Sequence, residues 1–297
     1  MKPEIALGTW EFGGGFGFWE NQNRSDSLKT LHFAIRRGIT SFDTAPTYGS
    51  GKSEQMLGQQ LKRFPLQREK LCIASKTTNG KHLEQSLSRL CTSYLDVWYL
   101  HYPAKEQHEI LERMAGRKEV KAVGVSNMPL ALLQTLEDLP LRWVQVPCNL
   151  LWNKETEALK QYCGKHEIRI SGYSPLAFGL LSGTHDDPPG DGRRNLYCYR
   201  HPEEFRALTA LLRDIAKIHG TSPSQIAIAW SLRQGFDQII LGARTKTQLA
   251  EDLCALNLTL SPHEMELLEK ASQAICSFIP EDQDNLFGHR WNHENAL

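Results

Sequence analysis

Short apolar runs alternate with longer amphipathic segments along most of the chain. The apolar runs have the length and residue types of buried strands, and they cover residues 5–10, 40–45, 71–76, 96–102, 122–127, 143–149, 169–175 and 238–243. Segments with helical periodicity separate and follow them, at 25–37, 52–64, 81–93, 107–118, 129–138, 155–166, 203–219, 223–234, 245–253 and 262–274. Several predicted helix starts carry a capping side chain or a proline, namely Ser25, Ser222-Pro223 and Ser261-Pro262.

Eight predicted strands that alternate with helices indicate an α/β fold, a closed (β/α)8 TIM barrel. An open doubly wound sheet uses the same alternation, but its dinucleotide-binding form has a G-x-G-x-x-G motif after the first strand. Here Gly13, Gly14, Gly15 and Gly17 follow that strand without this spacing and without an early helix. Because the chain shows no linker and no composition break, we expect one domain over residues 1–297, with 278–297 as a C-terminal tail.

The composition narrows the class of protein. Of the 297 residues, 40 % are hydrophobic and 23 % are charged, as in a folded domain with a sizeable core. The 34 basic and 34 acidic residues balance, which argues against a surface for nucleic acid or for an acidic membrane. No apolar run approaches the ~20 residues of a membrane-spanning helix, and the residues after Met1 do not resemble an export signal. No pattern indicates an oligomeric state.

The seven cysteines are scattered along the chain and are never spaced C-x-x-C. This distribution predicts reduced thiols in a cytoplasmic protein, with neither a disulfide framework nor a metal site.

Candidate chemistry lies at the C-terminal ends of the predicted strands, where barrel enzymes carry their active sites. The polar residues there are Asp43, Lys76, His101, Ser126, Asn127, Gln145, Asn149, Tyr173 and Ser174, and Tyr48 lies in the loop after the second strand. Asp43 alone could form a turn, and Lys76 could be a solvated charge. His101 could be a hydrogen-bonded core residue, and Tyr48 could pack in its loop. The joint occurrence of the four at one barrel mouth favours a catalytic site.

Motifs that contain these residues resemble those of the aldo-keto reductase family. The segment 38–54, GITSFDTAPTYGSGKSE, is similar to the family signature around its aspartate and tyrosine. Further similar motifs are SK at 75–76, YLH at 99–101, GVSN at 124–127, GYSPLAFGLLSG at 172–183 and LGARTKTQLAED at 241–252. The resemblance runs in unbroken order from about residue 5 to residue 274. It implies a (β/α)8 barrel that binds NADPH and reduces carbonyl compounds.

The resemblance implies catalytic roles for four residues. Tyr48 would donate a proton to the carbonyl oxygen, and Lys76 would lower the pKa of that phenol, which is ~10 in a free tyrosine. Asp43 would hold Lys76 in place, as a third group does in other catalytic sets. His101 would orient the carbonyl and share in the proton relay. Trp10, Tyr48 and His101 would border the substrate.

The resemblance also implies cofactor-binding residues, which include Trp10 and Asp43. Tyr173 would stack on the nicotinamide ring. Arg244 would contact the 2′-phosphate through a charge-assisted hydrogen bond, which favours NADPH over NADH. The remaining residues are Ser126, Asn127 and Gln145 for the carboxamide, Ser174, Leu176 and Leu180 for the pyrophosphate, Gly242 for the 2′-phosphate, and Gln248, Glu251 and Asp252 for the adenosine.

Two positions in the adenosine motif, and one loop, depart from the usual pattern of the family. Gln248 and Asp252 stand where many relatives carry Arg and Asn, which predicts weaker adenosine binding or a weaker preference for NADPH. The segment 102–121 is short, which limits how much of the pocket wall it can build.

The two ends of the chain also differ from the usual pattern. The first predicted strand begins almost at the N-terminus, so the β-hairpin that usually covers the bottom of the barrel is missing or reduced. The tail 278–297, with Phe287 and Trp291, is a candidate to cover the bottom instead. The alternative is that this tail borders the substrate site.

Two features of the sequence bear on the substrate class, and each has two interpretations. Aromatic residues follow the first strand, and these are Trp10, Phe12, Phe16, Phe18 and Trp19. They favour an apolar or aromatic aldehyde or ketone, although rings packed on the rim would look the same. Residues 184–202 could be a mobile flap or an ordinary surface loop.

Two other functions stay open. The first is a cofactor-binding regulatory or channel-associated subunit with little turnover. The second is an unrelated barrel enzyme such as a lyase or hydrolase, which would need a metal cluster or phosphate-binding glycines that the sequence does not show.

Overall fold

The computed structural model describes residues 3–14, 19, 21–64, 67–153 and 156–279, and a closed barrel of parallel strands occupies its centre. The strands are β1 (Glu4–Gly8), β2 (Ser41–Asp43), β3 (Cys72–Thr77), β4 (Val97–Leu100), β5 (Val123–Ser126), β6 (Leu141–Pro147), β7 (Arg169–Tyr173) and β8 (Gln238–Gly242). Each strand pairs with the next along the chain, and β8 closes the barrel against β1, from Glu4↔Gln238 to Gly8↔Gly242. The predicted (β/α)8 barrel is confirmed.

Helices connect successive strands and cover the outside of the barrel. They are α1 (Trp10–Gly13), α2 (Arg24–Arg36), α3 (Lys52–Arg63), α4 (Leu83–Leu90), α5 (Gln107–Ala115), α6 (Leu130–Gln134), α7 (Thr156–Lys165), α8 (Pro202–His219), α9 (Pro223–Ser231), α10 (Lys246–Leu253) and α11 (Pro262–Cys276). Short 3-10 turns lie at Arg68–Lys70, Ala177–Ser182, Gly192–Asn195, Tyr197–Arg200 and Cys254–Asn257. Every predicted strand and helix has a counterpart, and most of the observed elements are shorter.

The segment after β1 differs from its prediction. The predicted strand 5–10 ends at Gly8, and Trp10 begins the short helix α1. The expectation that no early helix follows the first strand was therefore wrong. This helix has only four residues.

Helix caps explain why several helices begin where they do. The side chain of Asn23, rather than that of Ser25, caps α2 by accepting a hydrogen bond from the Ser25 amide at 2.7 Å. Ser222 and Ser261 cap α9 and α11 as predicted, each by accepting from an amide three residues on. Such caps satisfy amides that the first helical turn leaves without partners.

Two hydrophobic clusters lie outside the barrel. The larger one fills the space between the strands and the surrounding helices, and it includes Leu7, Phe42 and Trp98, each at most 1 % exposed. The other joins α8, α9 and α11 to residues 150–152, around Phe205 and Trp230. Because it also includes residues of the 3-10 turn after β7, it supports a loop at the rim of the barrel.

The interior of the barrel is filled by side chains, as in other barrels of this size. In its lower half, Tyr99 and Trp143 pack together with Val97 and Ala74. The Arg169 guanidinium covers the Trp143 ring, with 4.1 Å between guanidinium carbon and ring centroid. A hydrogen-bonded row crosses the same half, since Gln238 donates to Ser41 at 2.9 Å and accepts from Ser171 at 2.8 Å.

These interior side chains bear on the predicted loss of the N-terminal hairpin. Before β1 the structure describes residue 3 alone, so the loss of the hairpin stays a prediction; at the lower end of the barrel, Arg169 covers the Trp143 ring. The proposed tail residues Phe287 and Trp291 lie outside the described residues, so the tail hypothesis stays a prediction. Phe278, at the described end of the chain, stacks on His201 with ring centroids 3.8 Å apart.

Three general properties follow from the described part of the chain. None of its helices is long and apolar enough to cross a membrane. Within it, no group of three or more His, Cys, Asp or Glu side chains is arranged to hold a metal ion. All seven cysteines are free thiols.

The packing inside the barrel predicts a large effect for Trp143→Ala. The substitution removes a side chain that is 6 % exposed and packs on Tyr99 and Arg169, so the free energy of unfolding should fall by about 3–5 kcal/mol in urea denaturation. As a control, Ile218→Ala removes an apolar side chain that is 77 % exposed, and it should change the free energy by less than about 0.5 kcal/mol. A loss below about 1 kcal/mol for Trp143→Ala would show that this side chain does not support the barrel.

Candidate active site

An ion pair between Lys76 and Asp43 lies at the C-terminal ends of β3 and β2. Lys76 Nζ donates to Asp43 Oδ1 at 2.5 Å and to the Thr44 carbonyl oxygen at 3.2 Å. The lysine is 1 % exposed and the aspartate 6 % exposed. Burial lowers the pKa of Lys76, while the charge of Asp43 and its hydrogen bond act in the opposite direction. The alternative in which Lys76 is a solvated charge is therefore wrong.

A chain of hydrogen bonds extends from this pair across the mouth. Gln145 Nε2 donates to Asp43 Oδ2 at 2.8 Å, and Gln145 Oε1 accepts from Ser126 Oγ at 3.2 Å. Asn127 Nδ2 donates to Ser126 Oγ at 3.2 Å, and Asn127 Oδ1 accepts from the Tyr173 hydroxyl at 2.5 Å. The ends of β2, β3, β5, β6 and β7 are thus joined by one polar network in which each amide has defined partners.

Tyr48 lies beside this network, in the loop between β2 and α3. Lys76 Nζ is over the Tyr48 ring, 5.2 Å from its centroid. The rings of His101 and Trp10 each lie 6.2 Å from the Tyr48 ring, centroid to centroid. The structure therefore brings together Asp43, Tyr48, Lys76 and His101, as the sequence predicted.

Two glycines allow the Tyr48 loop to approach α1. A Cβ at Gly13 would lie 2.5 Å from the Gly49 nitrogen, and a Cβ at Gly49 would collide with the backbone of Gly13. Gly49 also has a φ of +59°, in the left-handed region that favours glycine. The close contact of these backbones fixes the position of Tyr48 relative to Trp10.

The ionisation of Tyr48 differs from the expectation. Burial raises the pKa of the Tyr48 phenol well above its usual value, and the charge of Asp43 raises it further. Lys76 does not bring this pKa below its usual value, because burial and the charge of Asp43 both raise it. The phenol is consequently protonated at neutral pH, the state that a proton donor requires.

His101 follows β4 and is 7 % exposed. Burial lowers the pKa of its imidazole well below the usual value, and the nearby charge of Lys76 lowers it further. The ring is therefore neutral at pH 7. Its Nδ1 atom is buried and has no hydrogen-bond partner among the described residues, while its ring stacks on Tyr102 with centroids 4.4 Å apart.

An aromatic wall extends from Trp10, whose ring lies beside Tyr48. It consists of Trp10, Trp19 and Phe178, with Trp10 in edge contact with Trp19 at 5.5 Å and with Phe178 at 5.7 Å between centroids. Phe12, which was also expected near the mouth, is 4 % exposed and belongs to the larger core cluster instead. Phe16 and Phe18 lie outside the described residues.

The backbone is unusual where the cofactor residues after β5 and β7 were predicted. Asn127, Ser174, Ala177 and Phe178 all have φ between +46° and +60°. Non-glycine residues in this region are uncommon and cluster at functional sites. In the same loop Leu180 is fully buried in the cluster around Phe205, so it can face a ligand only through backbone atoms; Leu176 is partly buried.

Arg244 follows β8 and is held by two glutamine side chains. Its Nε donates to Gln22 Oε1 at 2.9 Å, and Gln22 Nε2 donates back to the Arg244 carbonyl oxygen at 2.8 Å. The Arg244 amide donates to Gln248 Oε1 at 3.0 Å. Gln22 was not identified from the sequence, because nothing local marks a contact between residues 222 positions apart.

Three acidic residues lie on the helices α10 and α1, which follow β8 and β1. Asp252 in α10 is 6 % exposed, and burial raises its pKa to about 7. Glu251 is exposed, and its carbonyl oxygen accepts from Gln225 Nε2 at 2.7 Å. Burial likewise raises the pKa of Glu11, in α1, to about 7; the sequence did not single out this residue.

Comparisons with known proteins identify the relatives of this chain. The model of the Aldo/keto reductase family matches residues 4–273. "Aldo-keto reductase YhdN" of Bacillus subtilis is 30 % identical over 82 % of each chain. The "NADH-specific methylglyoxal reductase" of Escherichia coli is 27 % identical over 91 % of this chain and 95 % of that protein.

Solved structures share the barrel. A glycerol dehydrogenase from Gluconobacter oxydans superposes with a TM-score of 0.79 at 27 % identity, over 94 % of this chain and 93 % of its own. An aldo-keto reductase from Klebsiella pneumoniae, solved in complex with NADPH, superposes with a TM-score of 0.70 at 24 % identity, over 96 % and 94 %. The latter likeness shows the fold.

The neutral state of His101 predicts a pH dependence of stability. Because the folded pKa lies below that of the unfolded chain, ~6.5, the unfolded state binds more protons below that pH and stability falls as pH falls. Urea titrations of His101→Gln should therefore show a smaller decrease in the free energy of unfolding between about pH 7 and pH 5 than those of the wild type. His108→Gln serves as the control. Since Asp138 raises the pKa of His108, this residue stabilises the fold at low pH, and its loss should make the decrease in stability towards pH 5 larger rather than smaller. Identical pH profiles for wild type and His101→Gln would contradict a buried neutral imidazole.

Proposed function

The chain belongs to the aldo/keto reductase family, and we propose that it reduces an aldehyde or a ketone to an alcohol with NADPH, with Tyr48 as the proton donor. The observation that carries the proposal is the buried Lys76–Asp43 pair beneath the Tyr48 ring, with the His101 ring 6.2 Å from that ring, centroid to centroid. A structural role alone does not require four such groups at one barrel mouth.

The mouth fits a nicotinamide dinucleotide, the cofactor that this family uses. Polar side chains line it from β5 to β8, and the buried carboxylate oxygen Glu11 Oε2 has no partner among the described residues. When bound, the cofactor supplies the hydride. The residues that would hold it are Trp10, Asp43, Ser126, Asn127, Gln145, Tyr173, Ser174, Leu176, Leu180, Gly242, Arg244, Gln248, Glu251 and Asp252.

Tyr48 acts on the carbonyl oxygen. Reduction leaves negative charge on that oxygen, and the Tyr48 hydroxyl gives its proton to it, which yields the alcohol and a phenolate. The phenolate lies beside the Lys76 ammonium, whose positive charge stabilises it. Asp43 keeps the ammonium in this position through the 2.5 Å hydrogen bond.

His101 orients the carbonyl. Since its imidazole is neutral, it can donate one ring N–H without adding a second positive charge beside Lys76. The neutral ring therefore fits a role in hydrogen bonding better than a role as the primary acid. The backbone carbonyl of His101 accepts from Asn127 Nδ2 at 3.1 Å, which ties this residue to the polar network.

The aromatic wall indicates the substrate class. Trp10 lies beside Tyr48 and is backed by Trp19 and Phe178, and apolar side chains with a few convergent polar groups suit an apolar or aromatic carbonyl. The Escherichia coli relative is named for methylglyoxal, a small carbonyl compound.

The proton-donor assignment predicts that Tyr48→Phe loses activity but keeps its cofactor. With NADPH and 4-nitrobenzaldehyde, followed by NADPH absorbance, the variant should turn over about 10²–10⁴-fold more slowly, while its Kd for NADPH stays close to that of the wild type. Tyr94→Phe is the control, because Tyr94 lies before β4, at the other end of the barrel.

Two results would contradict the proposal. Equal rates for wild type and Tyr48→Phe would exclude Tyr48 as the proton donor. Tight NADPH binding by a wild-type protein that reduces none of a panel of aldehydes and ketones would favour the regulatory subunit instead.

A further inference from the structure

The carboxylate of Glu11 occupies an unexpected place at the mouth. Glu11 is the second residue of α1, and its side chain reaches the C-terminal end of β8, where a Cβ at Gly242 would collide with its Oε1. Its Oε2 is buried and has no hydrogen-bond partner among the described residues. A buried carboxylate oxygen without a partner is costly, so this atom is placed to meet a ligand.

Few charges compensate Glu11. The charged and titratable groups that face it are Arg244 after β8, Asp43 at the end of β2, Asp252 in α10 and Tyr48. Arg244 favours the ionised form and Asp43 opposes it, but burial has the largest effect and raises the pKa of Glu11 to about 7. The Arg244 guanidinium is itself shared with Gln22, which limits how far it can neutralise the carboxylate.

The position of Glu11 matters for the cofactor. Gly242 and Arg244 are the residues expected to meet the 2′-phosphate, the group by which NADPH differs from NADH. A carboxylate at this place accepts a hydrogen bond from a ribose 2′-hydroxyl and repels a 2′-phosphate, as acidic residues do in other dinucleotide sites.

We propose that Glu11 determines cofactor specificity: its ionised carboxylate binds the 2′-hydroxyl of NADH and disfavours NADPH, and its protonated form admits NADPH. The inference rests on the proposed function, because it presumes that the adenosine ribose lies at Gly242 and Arg244. Binding of NADPH then takes up a proton at Glu11 Oε2, which donates to a phosphate oxygen, whereas binding of NADH does not.

The direct test is cofactor binding as a function of pH. Kd values for NADPH and NADH are measured by nicotinamide fluorescence at about pH 7.0 and 8.5, where the 2′-phosphate, with a second pKa of ~6, is a dianion at both values. In the wild type the ratio of Kd for NADPH to Kd for NADH should rise about tenfold over this range, as expected for one linked proton. Calorimetry of NADPH binding in two buffers of different ionisation enthalpy should show proton uptake near about pH 8.

Variants identify the side chain that takes up the proton when NADPH binds. Glu11→Gln, which keeps the shape of the side chain, should abolish the pH dependence of the ratio and bind NADPH about tenfold more tightly than the wild type at about pH 8.5. Asp252→Asn should keep the pH dependence. Glu109→Gln, which removes an exposed charge on α5, should leave both Kd values unchanged.

The outcomes separate the two proposals. A constant Kd ratio in the wild type, or proton uptake that is lost in Asp252→Asn rather than in Glu11→Gln, would overturn the role of Glu11 while cofactor binding stands. Failure of the wild type to bind either dinucleotide would overturn the proposed function itself.

Discussion

The buried contact between Lys76 and Asp43 constrains the whole mouth of the barrel. Taking two charges out of water costs free energy that their attraction offsets only when the geometry is good and the other polar atoms are satisfied. Here the second oxygen of Asp43 accepts from Gln145, and the ammonium also donates to the Thr44 carbonyl. Gln145 in turn requires Ser126. Residues on β2, β3, β5 and β6 are therefore specified together, and the same hydrogen bonds hold the ammonium under the Tyr48 ring.

The rest of the barrel protects that arrangement. Below the pair, Ser41, Gln238 and Ser171 hydrogen-bond to one another, and Trp143 packs on Tyr99 and Arg169. Above it, the close contact of Gly13 with Gly49 fixes the loop that carries Tyr48. The left-handed residues after β5 and β7 turn the chain at the rim. A preorganised site of this kind stabilises charge that develops during reaction without having to rearrange.

The parts that the sequence predicted are those that depend on local pattern. Strand alternation placed Asp43, Lys76 and His101 at one end of the barrel, because parallel strands end on the same side. The parts that it missed depend on contacts between distant residues: Gln22 against Arg244, and Glu11 against Gly242. The helix α1 was missed because its four residues are too few for a periodic signal. The direction of the Tyr48 pKa was mispredicted because it depends on how deeply the ring is buried and on its distance from Asp43, which no spacing reveals.

Lys76 and Asp43 act as one unit, and a double-mutant cycle tests this most directly. The free energy of unfolding is measured for the wild type, Lys76→Met, Asp43→Asn and the double variant. If the pair is a unit, each single variant leaves a buried group without its partner and loses about 3–5 kcal/mol, while the double variant loses at least about 2 kcal/mol less than the sum of the two. Losses that simply add would show that the two side chains are independent and that the mouth of the barrel is not organised around their contact.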